Sequence, residues 1–68
     1  MNQEAFNQSI RKFLKMVGVN SQREIEQAVA KAIASGTIAG TESFQAKVTL
    51  EVDGIKLNVN FDGELKLE

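Results

Sequence analysis

The segment at residues 48–61, VTLEVDGIKLNVNF, constrains the fold of this chain more than any other stretch. Apolar and polar residues alternate on both sides of Asp53-Gly54, and alternation interrupted by Asp-Gly is the strongest short-range signal for a β-hairpin. We predict a two-residue turn at Asp53-Gly54, because both central residues of such a turn need a positive φ, which Asp and Gly tolerate.

This turn would fix the register of the two strands. The predicted pairs on one face are all apolar: Val52 with Ile55, Leu50 with Leu57, Val48 with Val59, and Ala46 with Phe61. The predicted pairs on the other face are polar: Glu51 with Lys56, Thr49 with Asn58, and Lys47 with Asn60. A slip of one residue would turn the apolar row towards water. A hairpin with one apolar face is not stable alone, so we expect another element to cover that face.

The length of 68 residues allows one domain, so we predict a single α+β domain over residues 1–68. A chain this short buries only about 60% of the surface that it exposes when unfolded, which makes its stability marginal. Without Cys it forms no disulfide, and without His it lacks the commonest metal ligand. Association with another chain is the remaining way in which small domains gain stability.

Two amphipathic helices are predicted ahead of the hairpin. The first covers residues 2–17, and its apolar side chains fall within an arc of about 100°: Phe6, Ile10, Phe13, Leu14 and Val17. Gly18 follows where a left-handed C-terminal cap is expected. Ser21 and Glu24 form a capping-box pattern that begins the second helix, and Gly36 ends it. The apolar stripe of this second helix consists of Ile25, Ala28, Val29, Ala32 and Ile33.

A strand is expected to begin near Phe44, after an irregular stretch at residues 37–43. Asp62-Gly63 resembles a second turn and predicts a third strand over residues 64–67. We favour a three-residue loop with a bulge there, since it places Leu65 and Leu67 on the apolar face, whereas a two-residue turn would place both on the polar face. The predicted fold class is therefore α+β, with two N-terminal helices packed on one face of a small antiparallel β-meander (α-α-β-β-β).

Three segments carry a family resemblance: SIRKFLK at residues 9–15, GVNSQREIE at residues 18–26 and AKVTLEVDG at residues 46–54. They resemble a family of short, uncharacterised bacterial proteins that is catalogued as a domain of unknown function. The resemblance spans nearly the whole chain, in the same order and at similar spacing. It implies a bacterial, cytoplasmic, single-domain protein of this length, and it implies no activity, ligand or functional residue.

The chain offers little for catalysis. It has no Cys, His or Tyr, so a nucleophile would be Ser, Thr, Lys or a carboxylate, and no Ser has a basic partner. Paired carboxylates need a pocket that shifts the pKa of one of them, and a domain of this size has little room for such a pocket. We therefore expect no enzyme activity, no catalytic residue, no cofactor and no small-molecule substrate.

Two further patterns are weak as binding sites. Glu42, Asp62 and Glu64 could meet at one end of the hairpin and offer oxygen ligands, but their spacing matches no calcium loop, so we expect no metal. The glycine-rich residues 36–41 lack the following helix and the nearby Lys of a phosphate-binding loop. A helix stop followed by a turn is expected there instead.

Three surfaces are candidates for partner binding. The first is a basic patch on the first helix, formed by Arg11, Lys12 and Lys15. The second is an association edge on the first strand of the hairpin, formed by Phe44, Ala46, Val48, Thr49 and Leu50, where backbone groups could add sheet to sheet. The third is a strip formed by Ala30 and Ala34, which lies off the apolar stripe of the second helix and could admit another chain.

The sequence favours a protein–protein interaction or structural module without catalytic activity, with an unknown protein partner or a weak homodimer. The alternative is a weak nucleic-acid-binding protein that uses the basic face of the first helix, although phosphate binding draws on a larger basic footprint. No apolar run reaches the roughly 20 residues that a bilayer crossing needs, and the N-terminus carries no secretion signal. We therefore expect no membrane association and a cytoplasmic location.

Overall fold

A computed structural model describes all residues from 1 to 68, and the chain divides into two units, Met1–Ser35 and Gly36–Glu68. The first unit contains one helix, α1 (Gln3–Ala34). The second contains two antiparallel strands, β1 (Ser43–Val52) and β2 (Leu57–Lys66), with one turn of 3-10 helix between them, Asp53–Ile55. The order is α-β-β, so the predicted α-α-β-β-β fold, with two helices and a three-stranded meander, is wrong.

Both ends of α1 have defined caps. Asn2 is extended, and its side-chain oxygen accepts a hydrogen bond from the N–H of Ala5 at 3.0 Å, which satisfies one donor that the helix leaves without a partner. At the other end Ser35 is the C-cap, and Gly36 follows with a φ of 77°, in the left-handed region that Gly adopts without strain. The predicted end of the helical region at Gly36 is confirmed.

The predicted break between two helices is wrong, because α1 continues without interruption through residues 18–20. Gly18 has no positive φ, so it is a helical residue and not a left-handed cap. Ser21 and Glu24 match a capping box in sequence but lie in the middle of the helix. A Gly within a helix costs about 1 kcal/mol relative to Ala, which is too little to break a helix of 32 residues.

One series of positions in α1, all of them apolar except Ser21, follows an 11-residue repeat that continues across Gly18. Spaced four, four and three residues apart, the positions are Phe6, Ile10, Leu14, Val17, Ser21, Ile25, Ala28 and Ala32, together called the α1 stripe. Eleven residues in three turns correspond to about 3.67 residues per turn, so the α1 stripe runs almost straight along the helix. At 3.6 residues per turn this line drifts by only about 20° in each repeat. The prediction of two helices depended instead on Gly18 as a cap and on the capping-box pattern of Ser21 and Glu24.

The two strands pair in a register two residues away from the predicted one. Val52 lies opposite Leu57 and Leu50 lies opposite Val59, so the predicted pairs of Val52 with Ile55 and Leu50 with Leu57 are wrong. The connection has four residues, 53–56, and ends at Lys56 with a φ of 53°. A shift of two residues leaves every side chain on the same face. The predicted apolar and polar faces are therefore confirmed for residues 46–52 and 57–61, although the partners differ. Ile55 and Lys56, which were predicted to pair in the ladder, lie in the connection instead.

β2 continues through Asp62 and Gly63 to Lys66, so the predicted second turn and third strand are wrong. Gly63 lies within the ladder, opposite Ala46. In the observed register Phe44 meets Leu65, whereas the predicted two-residue turn would have placed Phe44 opposite Gly63. The four-residue connection thus adds a pair of large apolar residues at the far end of the hairpin, which stabilises this register.

Neither unit contains a second layer of its own, and no residue of the chain is buried. A single helix or a single two-stranded sheet cannot surround its own apolar side chains. Large apolar residues accordingly stay exposed in both units, with Leu14 at 53% and Phe61 at 59%. No helix of the protein combines the length and the apolar character that a membrane crossing needs.

Candidate functional site

The α1 stripe forms a long exposed apolar surface on the first unit. The large side chains on it or beside it are between 38% and 53% exposed: Phe6, Ile10, Phe13, Leu14 and Ile25. A helix of 32 residues is about 48 Å long, and the stripe follows most of that length. Helices in proteins gain most of their stability by packing such a face against another element.

The second unit carries another exposed apolar surface, the apolar face of the hairpin. Its members are Phe44, Ala46, Val48, Leu50 and Val52 from β1, with Leu57, Val59, Phe61 and Leu65 from β2. Four of the five predicted association-edge residues therefore share one face. Thr49 lies on the other face, where its hydroxyl donates a hydrogen bond to the side-chain oxygen of Asn60 at 2.8 Å.

Backbone groups along β1 are also free to pair, as the predicted association edge requires. The N–H of Leu67 donates to the carbonyl of Glu42 at 3.1 Å, just beyond the ends of the two strands. Because bonded and non-bonded pairs alternate in an antiparallel ladder, the N–H of Thr49 points away from β2 and that of Leu50 towards it. The sheet has only two strands, so β2 has a free edge as well.

The basic patch of Arg11, Lys12 and Lys15 lies on an exposed side of α1 that faces away from the α1 stripe. None of the three side chains takes part in an ion pair, since the ion pair of the protein joins Lys66 to Glu64 at 3.8 Å. Arg11 and Lys15 are one helical turn apart and carry like charges, which repel weakly. Three cations are thus available on one helical face, and their binding to nucleic acid stays a prediction.

The strip of Ala30 and Ala34 lies on the side of α1 opposite the α1 stripe. Ala30 is exposed and lies two residues from Ala28, which belongs to the stripe. The two alanines 28 and 30 therefore present the same small side chain on opposite sides of one helix. The same substitution made at each of these two positions would therefore test the two surfaces of the helix separately.

Glu42 has a role that the sequence did not reveal. Its carboxylate accepts hydrogen bonds from three successive backbone N–H groups, those of Ala39 at 2.8 Å, Gly40 at 2.8 Å and Thr41 at 3.1 Å. The bonds from Ala39 and Gly40 are the main cause that lowers the pKa of Glu42 below its ordinary value, against an opposing effect of partial desolvation. The only sequence signal was an acidic residue placed directly after Gly40 and Thr41.

Glu42 does not gather with Asp62 and Glu64, and no three acidic side chains come close enough together to hold a metal ion. Asp62 lies opposite Lys47 in the ladder, and Glu64 pairs with Lys66. The glycine-rich residues 36–41 do direct N–H groups at an anion, as a phosphate-binding loop would. That anion is the chain's own carboxylate.

Comparison with known protein families matches residues 1–68 to one described as a family of unknown function (DUF6494). The match covers the whole length of the chain, as the resemblance of the three segments at residues 9–15, 18–26 and 46–54 predicted. No curated protein and no solved structure matches the sequence.

Proposed function

The chain belongs to DUF6494, a family of unknown function, and we propose that it is a protein–protein interaction module without catalytic activity. The observation that carries this proposal is the exposure of large apolar side chains in both units, with no buried residue in either. Contiguous apolar surface of this kind marks sites of contact with other molecules. The α1 stripe and the apolar face of the hairpin are the two surfaces concerned.

The non-catalytic part of the proposal is supported by the side chains that these surfaces present. They are aliphatic and aromatic, and the chain contains no His, Cys or Tyr. No polar or charged residue is buried. Catalytic acids, bases and nucleophiles need surroundings that shift their pKa, and burial is the main way in which proteins create such surroundings. The bacterial and cytoplasmic setting that the family resemblance implies is part of the same proposal.

A second candidate is weak nucleic-acid binding by Arg11, Lys12 and Lys15. The observation that favours it is the absence of ion pairs at these three cations. It ranks second because stacking on bases would need aromatic side chains beside the patch, whereas Phe6 and Phe13 lie on the opposite side of α1. A gel-shift assay at low and high salt tests it, since phosphate contacts weaken steeply as salt rises.

Site-specific photo-cross-linking in the native cell tests the interaction proposal. A photoreactive phenylalanine analogue is placed at Phe61, on the apolar face of the hairpin, and in a matched variant at Asn60, on the polar face of the same strand. A second matched pair uses Phe13, beside the α1 stripe, and Lys12. We expect cross-links to protein from Phe61 or Phe13 and none from Asn60 or Lys12. Cross-links from neither Phe position, or equal cross-linking from all four positions, would overturn the proposal.

A further inference from the structure

We propose that Asp53 is a site of spontaneous isoaspartate formation, and that Asp62 is protected from the same reaction by the ladder of the hairpin. The chain contains two Asp-Gly dipeptides, at residues 53–54 and 62–63. Both indicate a turn in the sequence, but only the first lies outside the strands. The inference goes beyond the proposed function and does not depend on it.

The reaction joins the side chain of Asp to the main chain. The backbone nitrogen of the next residue attacks the side-chain carboxyl carbon, and a C–N bond forms. One carboxyl oxygen leaves as water, with the carboxyl proton and the N–H proton. Water then opens the resulting succinimide ring. Attack of water on the side-chain carbonyl restores Asp, whereas attack on the main-chain carbonyl gives isoaspartate, in which the main chain runs through Cβ.

The two dipeptides are alike in everything except their place in the hairpin. In both, the attacking nitrogen belongs to Gly, which has no Cβ to shield it. Both Asp residues and both Gly residues are exposed. Neither Gly54 nor Gly63 has a positive φ, and a Cβ at either position would meet nothing within 4 Å. A difference in reactivity would therefore come from the backbone that surrounds each dipeptide.

Asp53 and Gly54 lie in the connection between the strands. The carbonyl of Asp53 accepts the N–H of Lys56 at 3.1 Å. The nitrogen of Gly54 reaches the carboxyl group of Asp53 when the peptide unit between them rotates, and this rotation breaks the bond from Lys56. The ladder begins only at the pair of Val52 and Leu57. The reactive geometry at Asp53 thus requires no strand to open.

Asp62 and Gly63 lie within β2. Bonded and non-bonded pairs alternate along an antiparallel ladder, and the N–H of Leu67 donates to the carbonyl of Glu42 at 3.1 Å. By this alternation the N–H of Gly63 donates to the carbonyl of Ala46, the residue opposite. Rotation of Gly63 towards the carboxyl group of Asp62 requires β2 to separate from β1. Even from the nearer end of the hairpin, this breaks three bonded pairs: Glu42 with Leu67, Phe44 with Leu65, and Ala46 with Gly63.

The number of bonds to be broken sets the expected difference in rate. Local opening of a protein becomes rarer with each hydrogen bond and each apolar contact that it disrupts. The open form at Asp62 disrupts several more backbone hydrogen bonds than the open form at Asp53. We therefore expect Asp53 to react at least about tenfold faster than Asp62 in the folded chain.

The test incubates the full chain at neutral pH in water enriched in oxygen-18. Each opening of a succinimide ring leaves one heavy oxygen in the residue. Digestion with trypsin in ordinary water then releases residues 48–56 and 57–66, and each peptide contains one of the two dipeptides. Mass spectrometry of fragment ions measures the heavy oxygen at Asp53 and at Asp62. Chromatography separates the isoaspartate forms of both peptides.

In the folded chain we expect heavy oxygen to enter Asp53 at least about tenfold faster than Asp62. In concentrated urea the two rates should become equal, because the ladder is absent. Equal rates in the folded chain, or a faster reaction at Asp62, would overturn the proposal. A folded chain that takes up no heavy oxygen at Asp53, while the unfolded chain does, would overturn it as well.

Two matched variants test the reaction itself. In Gly54→Ala the added methyl group shields the attacking nitrogen, so uptake of heavy oxygen at Asp53 should be lost. Gly63→Ala places the same methyl group in the other dipeptide and should leave the uptake at Asp53 unchanged. Both positions have open space for the methyl group. Uptake at Asp53 that Gly54→Ala does not reduce would show that no succinimide forms there, and would refute the proposal.

Discussion

The carboxylate of Glu42 accepts a hydrogen bond from the backbone N–H of Gly40 at 2.8 Å, at the point where the loop enters β1. Bonds from Ala39 and Thr41 complete a concave site of three N–H groups, of the kind that binds anions. The backbone carbonyl of Glu42 also accepts the N–H of Leu67 at 3.1 Å. One residue therefore joins the loop to the open end of the hairpin.

Glu42→Gln is expected to loosen this loop without unfolding the hairpin. The amide of Gln has one accepting oxygen, so its NH₂ group would face at least one of the N–H donors that the carboxylate now satisfies. Hydrogen exchange followed by NMR should show faster exchange, by several-fold, at Ala39, Gly40 and Thr41, with Leu50 in the ladder unchanged. Unaltered exchange at all three loop amides would show that the carboxylate is not what holds them.

The stability that Glu42 contributes should depend on pH. Its pKa is lowered from an ordinary value of 4.5, chiefly by the hydrogen bonds from Ala39 and Gly40. The unfolded chain therefore takes up this proton at a higher pH than the folded chain does. The contribution is fully present above about pH 4.5 and is lost as the pH falls through the lower folded value.

Urea unfolding of the wild type and Glu42→Gln between pH 3 and pH 7 measures this contribution. The gap between their midpoints should be constant above the ordinary pKa and should shrink in acid. A gap that stays constant throughout the range would contradict the role of the charged carboxylate.

The same substitution, Gly to Ala, should have opposite effects at Gly18 and Gly36. Gly18 is helical, and a methyl group there would contact nothing within 4 Å, so Gly18→Ala should stabilise α1 by about 1 kcal/mol. Gly36 also has open space, but its φ of 77° strains any other residue, so Gly36→Ala should destabilise the chain by about 1 kcal/mol. Thermal unfolding followed by circular dichroism measures both. If Gly18→Ala destabilises as much as Gly36→Ala, residue 18 is a left-handed cap and α1 is two helices.

The helical region shows which features the sequence can and cannot determine. Its end at Gly36 was predictable because a left-handed residue is a local requirement of the backbone. The continuity at Gly18 was not, because Gly is compatible both with a cap and, at modest cost, with a helix interior. Ser21 and Glu24 add to the ambiguity, since a capping-box pattern also occurs within helices. The 11-residue spacing resolves it only when the positions from Phe6 to Ala32 are compared as one series.

Replacement of Lys56 by Gly should stabilise the hairpin. Lys56 ends the four-residue connection with a φ of 53°, a conformation that costs a non-glycine residue roughly 1 kcal/mol. Lys56→Gly should therefore raise the free energy of unfolding by about 0.5–1 kcal/mol, as measured by urea denaturation. In the two-residue turn, Lys56 would be a strand residue opposite Glu51, and the same substitution would destabilise the hairpin. The sign of the change thus distinguishes the two registers.

The hairpin shows a similar division between what was predictable and what was not. Alternation fixed the face of each side chain, and the structure keeps those faces. It could not fix the register, because registers that differ by two residues place the same side chains on the same face. The choice depends on long-range pairs such as Phe44 with Leu65 and on the backbone of Lys56, which no local pattern encodes. The site at Glu42 was missed for the same reason, since its ligands are backbone groups without a side-chain signature.

The last prediction separates association through α1 from association through the edge of β1. Thr49→Pro removes an N–H that points away from β2, together with the hydroxyl that bonds Asn60 at 2.8 Å. It should cost the hairpin about 1 kcal/mol and leave any association through α1 intact. Leu50→Pro, the control, removes an N–H that the ladder uses and should disrupt the pairing of β1 with β2. Ultracentrifugation of both variants distinguishes the two surfaces. A dimer that survives both substitutions is held by α1. Dissociation of a dimer by Thr49→Pro, with the hairpin still folded, would assign the contact to the association edge.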